Sequence, residues 1–228
     1  MKTIRDLIDD VRNLIHISSN DLDDRVIVSW INGQRALWLK NEMNKGMDAD
    51  DNILQTLPCL ELEVADASLC GLVNTKHRIL RTINEIPKAI VTKYNNGIYS
   101  IRRPIMLDIK FNHISREEAV RAGSGRFNKG DIFAFLYNNR IWIKLLPDNL
   151  NINFITYISI EGLFTNPLDV SELTDCNNKP CFDPEYDKYP INDAMWQYMI
   201  NAIYDNRVKL LAGGILDPIP DTDVHNSK

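Results

Sequence analysis

The sequence predicts an α+β protein: an N-terminal helical hairpin packed with a C-terminal helix, and a β-rich domain, a sandwich or small barrel, inserted between them. Three observations predict it. Apolar side chains in 23–42 recur at three- and four-residue spacing, the period of a helix face. From 53 onward that period gives way to short apolar runs bounded by Asn, Gly and Pro. From 192 to 211 the helical spacing returns. Residues 1–52 and 190–214 would then form one helical docking part, 53–173 the β-rich domain, and 174–189 and 215–228 extended arms.

Thr3 to Ile15 reads as a first short helix with Ile4, Leu7, Val11 and Leu14 on one side, and Ser18 to Asp21 as its connection to the next. In the long helix Ile27, Trp30, Ile31, Leu37 and Trp38 form the apolar stripe, while Arg25, Asn32, Arg35 and Glu42 fall on another face. Asp21, Asp23 and Asp24 supply cap candidates and negative charge at its start, Lys40 and Lys45 positive charge at its end. Gly46 to Asn52 is a polar, acidic loop. Strands are expected at Leu60–Val64, Ile79–Ile83, Ala89–Tyr94, Ile98–Ile101, Ile105–Phe111, Ile132–Tyr137, Arg140–Leu145 and Asn153–Ile160, with hairpin turns at Asn138-Asn139 and Asn95-Asn96-Gly97. Ser115 followed by Glu118 is a capping-box pattern, which starts a short helix over Ser115–Ala122. Asp175 to Tyr189, rich in Asn, Pro and Asp, reads as a long surface arm. Asn192 or Asp193 would cap the last helix and Gly213-Gly214 would stop it.

With 228 residues, 44% of them hydrophobic, the chain has the material for a substantial core. No apolar run approaches the ~20 residues that span a bilayer, and the N-terminus alternates apolar and charged residues where a signal peptide carries an apolar block. A formal charge of −5 argues against a dedicated nucleic-acid binder. Without a secretory signal, Cys59, Cys70, Cys176 and Cys181 are expected to stay reduced. Cys176 and Cys181 have a spacing found in some metal sites, but no second close Cys or His pair accompanies them, and no metal or cofactor is expected.

Catalysis needs a constellation, and the motifs that announce one are missing: no Gly-x-Ser-x-Gly, no His-Glu-x-x-His, no Gly-x-x-x-x-Gly-Lys-Ser/Thr. The loop Gly123 to Gly130 comes nearest to a phosphate cradle, yet lacks the Lys-Ser/Thr ending and a following helix. Asp48, Asp50 and Asp51 lack the glycine-punctuated ligand order of a calcium loop, and His113 stands alone near a strand end. Arg116, Arg121, Arg126 and Lys129 concentrate positive charge over a short span, while Asp48–Asp51, Asp183–Asp187 and Asp217–Asp223 are acidic. Opposite charges on one chain suit head-to-tail self-association.

The acidic lead-in at Asp23-Asp24, Arg25, the apolar run with Trp30, Gln34-Arg-Ala-Leu37 and Lys40-Asn-Glu42 resemble the N-terminal helix of the head-to-tail connector, or ring, proteins of crAss-like podoviruses and related tailed phages. The likeness continues in Ile79 to Lys88, in Ala122 to Phe135 and in Ile158 to Pro167, so it spans roughly residues 1–170. It implies a structural virion protein, not an enzyme. Such a protein docks under the portal protein, forms a twelve-copy ring with other connector and tail proteins as neighbours, and lines the channel through which genomic DNA leaves without sequence-specific contact. Arg25, Trp30, Arg35 and Trp38 would dock to the portal or a neighbouring subunit, and Arg116, Arg121, Arg126 and Lys129 would form a subunit contact loop. The competing readings are a phage-encoded nucleotide-binding protein or enzyme using Gly123–Gly130, and a soluble interaction module.

Overall fold

A computed structural model of the chain describes residues 2–15, 22–72, 78–93, 96–104, 111–122, 132–145 and 155–205. Among them are four α-helices and seven strands. In chain order they are α1 (Ile4–Ile15), α2 (Asp24–Asn44), β1 (Gln55–Ala65), β2 (Arg78–Thr82), β3 (Ile98–Arg102), β4 (Phe111–His113), α3 (Arg116–Arg121), β5 (Ile132–Tyr137), β6 (Arg140–Leu145), β7 (Tyr157–Gly162) and α4 (Asp193–Ile203).

The strands form one nearly closed sheet in the order β3-β7-β1-β2-β6-β5-β4. All pairs are antiparallel except β4 with β5. Of the two forms expected for the β-rich part, the nearly closed sheet corresponds to the small barrel. Its seam lies between β3 and β4, where the Asn96 amide nitrogen is 2.9 Å from His113 Nε2. The β5–β6 hairpin turns where expected: Asn138 and Asn139 sit at φ 50° and 53°, the left-handed conformation that a tight turn requires and Asn tolerates. β1 begins five residues before the expected strand and carries a bulge between Leu57 and Leu60, around Pro58, which has no N–H to give the ladder. Of the expected strand Ala89–Tyr94, residues 89–93 form no strand and Tyr94 lies outside the described residues. Ala89 makes a single bridge to Phe164, and the segment is tied by Ile86 N to Asn139 O (2.7 Å) and by Ile90 N to Leu163 O (2.8 Å). The expected strand Ile105–Phe111 lies outside the described residues apart from Phe111.

Alternation sorts the barrel's two faces. Ile132, Ala134, Ile141, Ile143 and Leu145 point inward with Leu57, Leu60, Leu80, Ile158 and Ile160. The bulkier Phe135 and Trp142 point outward into a second cluster with Ile79, Cys70, Leu72 and Ala119, covered by α3. Here α3 has the expected capping box, Ser115 Oγ accepting from Glu118 N while the Glu118 carboxylate accepts from Ser115 N.

Residues of α1, α2 and α4 share a separate cluster: Leu7 and Val11, Ile27, Ile31, Leu39 and Met43, and Met195, Met199 and Ile203. Each helix starts on a side-chain cap: Thr3 with Asp6, Asp23, and Asn192. The 16–21 connection of the predicted hairpin and everything after 205 lie outside the described residues.

Two expectations fail here. The inward row of α2 is Ile27, Ile31, Arg35, Leu39 and Met43, so Arg35, placed on the polar face, is fully buried, and Leu37, placed in the apolar stripe, is 49% exposed. The four cysteines are not all thiols. Cys59 on β1 and Cys176 are joined by a disulfide, their Cα atoms 5.2 Å apart, and only Cys70 and Cys181 are free. This pins the 174–189 segment to the barrel, and Phe182 and Tyr189, both buried, anchor it to the barrel and helical clusters respectively.

Candidate functional site

α2 is the element on which the predicted docking residues converge. Its inward face is organised by Arg35, whose guanidinium donates through Nε to Pro190 O (2.8 Å), through Nη1 to Phe164 O (2.7 Å) and through Nη2 to Ile53 O (3.3 Å). No carboxylate takes part. Three carbonyl dipoles from three distant segments solvate the charge, and the Tyr189 ring lies over it at 6.0 Å. Burial lowers the Arg35 pKa to about 10, with Tyr189 pulling the other way. The same burial raises the Tyr189 phenol well above its ordinary value, against the pull of Arg35.

A polar chain continues from that point. The Tyr189 hydroxyl donates to Asn32 Oδ1, Asn32 Nδ2 donates to Asn166 Oδ1 (2.8 Å), and Asn166 caps the following 3₁₀ turn through Leu168 N (3.2 Å). Arg35 and Asn32 thus tie α2 to 53, 164–166 and 189–190, where helical layer, barrel and the 174–189 segment meet. This is a fixed joint. Its groups are spent on one another.

The four predicted docking residues do not share a face. Arg25 is exposed in the first turn of α2 and borders a shallow hollow of about 370 Å³ with Val28, Ser29, Asn32, Gly33, Thr165 and Asn166. Trp30 and Trp38 are half-buried at the edges of the helical cluster. Arg35 points inward. The sequence reading missed that α2 is apolar outward as well: Val26 is 38% exposed and Leu37 49%. The signal was present but merged: Trp30 and Leu37, read into one stripe with Ile27 and Ile31, share helical spacing with Val26 and Gly33 and form a separate row.

The predicted contact loop divides. Arg116 is held inside the chain, its Nε donating to Cys70 O (3.0 Å) and its guanidinium 4.4 Å from the Tyr137 ring centroid. Arg121 is exposed in the last turn of α3. Arg126, Lys129 and the whole of Gly123–Gly130 lie outside the described residues. Lys144, not singled out from sequence, is buried beneath α3 and donates to Ala119 O (2.9 Å) and Ala122 O (2.7 Å), placing a cation at the negative end of that helix. Burial lowers its pKa, with Cys70 opposing.

Among the described residues no three His, Cys, Asp or Glu side chains gather as metal ligands would. Cys181 is buried enough that its thiol pKa rises to about 11, the opposite of the shift that activates a thiolate. Among the described residues no helix is long and apolar enough to cross a membrane.

The family model described as phage tail ring protein 2 matches residues 6–213. No curated protein matches the chain.

Proposed function

The chain belongs to the phage tail ring protein 2 family of crAss-like phages, which makes it a virion component, and from that premise we propose that it forms a ring directly below the portal. The ring would repeat the portal's twelve-fold symmetry and continue the channel through which DNA leaves. Its role is structural and involves no turnover. The observation that carries this reading is the family match over nearly the whole described chain, from α1 to beyond α4.

Two physical features support it. Arg35 and the Cys59–Cys176 bond fasten barrel, helices and the 174–189 segment into one body, as a part that must transmit load between neighbours requires. The formal charge of −5 discourages adhesion to phosphates, so DNA passing such a ring is repelled and not held.

The test is localisation in purified particles by electron cryomicroscopy, with copy number taken against the portal protein. A ring of twelve copies in contact with the portal is expected. A chain absent from particles, or seated away from the portal–tail axis, would overturn the proposal.

A further inference from the structure

A ring subunit needs two different surfaces, one on each flank, each complementary to the other. We infer that the turn 183–187, headed by Tyr186, seats on the outer face of α2 in the adjoining copy of this chain. This inference rests on the ring reading and adds to it a lateral contact.

Among the described residues, Val26, Gly33 and Leu37 on the outer face of α2 are exposed, and half-buried Trp30 joins them to the helical cluster. Gly33 and Leu37 lie across the helix from Arg35, and Val26 and Trp30 continue the row toward the N-terminus. Gly33 is the notable member. A glycine in mid-helix weakens the helix, and nothing among the described residues requires it: none of their atoms lies within 4 Å of where a Cβ would sit, the helix's own nearby backbone aside. Its lack of a side chain leaves a notch in that row, beside the hollow of about 370 Å³ that Gly33 lines with Arg25, Val28, Ser29, Asn32, Thr165 and Asn166.

The proposed occupant has the matching form. Tyr186 is 78% exposed, the most exposed of the large hydrophobic side chains among the described residues. It is held forward by a built turn in which Asp183 N donates to Asp187 Oδ2 (2.7 Å) and Glu185 N to Asp183 Oδ1 (2.9 Å). The turn presents Asp183, Glu185 and Asp187, all exposed, beside one lysine, Lys188. The outer face of α2 is flanked by exposed Arg25 and Lys40, so the charges are complementary.

Placement decides between a closed pair and a repeating series. Tyr186 borders a cleft with residues 52, 54–56 and Pro190, on the side of α2 to which Arg35 points. The notch at Gly33 is on the opposite side. Tyr186 does not line the hollow at Gly33 and Gly33 does not line the cleft at Tyr186, so each copy can offer its knob to one neighbour while receiving a knob from the other.

The test places a photo-crosslinking benzoylphenylalanine at position 186 in chains carried by intact phage particles. Irradiation is expected to yield a dimer of this chain whose linked peptide lies within 25–40. Gly33→Leu, at a position with open space around it, is expected not to lower the thermal midpoint of the purified chain and to lower the dimer yield at least tenfold. A product with a different virion protein, a link elsewhere on the chain, no product, or a yield unchanged by Gly33→Leu would each overturn the inference. Absence of the chain from particles would overturn the ring reading too, whereas its presence there without a chain-to-chain product sinks this inference alone.

Discussion

Arg35 occupies the place in the inward row of α2 where Ile27, Ile31, Leu39 and Met43 would lead one to expect another aliphatic side chain. Burying its charge is tolerable only because three carbonyls replace water, and those carbonyls in turn have the guanidinium as their donor. Arg35→Met fills similar volume but leaves them without it, so a loss of about 3–5 kcal/mol is expected. Arg35→Lys is expected to rescue little, because a single ammonium lacks the planar fork that reaches Pro190, Phe164 and Ile53 together. Urea unfolding of both variants checks this, and an Arg35→Met midpoint equal to that of the parent chain would remove the clamp from the account. The residue was invisible to periodicity for a physical reason. Hydrophobic patterning treats every arginine as solvent-facing, whereas the carbonyls that admit this one come from 53, 164 and 190, positions that only the fold brings together.

At the scale of elements, caps and turns were the legible part: the box at Ser115 and Glu118, the caps at Asp23 and Asn192, and the Asn138-Asn139 turn are all local chemistry. Barrel closure is non-local, and His113 stands at its seam. Asn96 Oδ1 accepts from Ile98 N (3.3 Å), which turns its Nδ2 toward His113 Nε2 and requires that nitrogen to be unprotonated. Burial lowers the His113 pKa below its ordinary 6.5, a backbone hydrogen bond to Ile98 opposing. With the folded pKa below the unfolded one, the unfolded chain binds the proton first. Stability should therefore fall as pH drops below about 6.5 and level off once the folded imidazole also titrates. His113→Gln is expected to flatten that part of the profile in thermal melts from pH 7.5 to 5; an unchanged slope would mean the seam does not sense the proton. The long helix makes a second prediction at this scale. Gly33→Ala meets no atom outside its own turn and should raise chain stability by about 0.5–1 kcal/mol, and a destabilised variant would show that the site is more crowded than its geometry indicates.

For the whole molecule, the order of helices, barrel and last helix followed from changes of period along the chain, whereas the fastening between them did not, because pairings across long separations leave no local trace. The Cys59–Cys176 bond is the clearest instance, its ends 117 positions apart in the sequence. Counting cysteines and noting the lack of a secretory signal pointed to four thiols, an argument about compartment that says nothing of which side chains the fold brings within reach. Closing so long a loop restricts the unfolded chain, an effect worth about 4–5 kcal/mol in the chain-entropy description. Reduction, or Cys59→Ser, should therefore lower the melting midpoint by roughly 10 °C or more for a chain of this length. The denatured, unreduced chain should titrate two thiols, Cys70 and Cys181, and the reduced chain four. Four thiols before reduction, together with melts indifferent to reductant, would show that the bond does not form in the protein as isolated. Because the bond holds 174–189 against β1, its loss should act beyond stability and release the segment that carries Tyr186. A reduced chain that stays folded at low temperature should then show faster proteolytic cleavage in 174–188 than in the barrel strands, and equal cleavage of the two would leave Phe182 and Tyr189 as sufficient anchors by themselves.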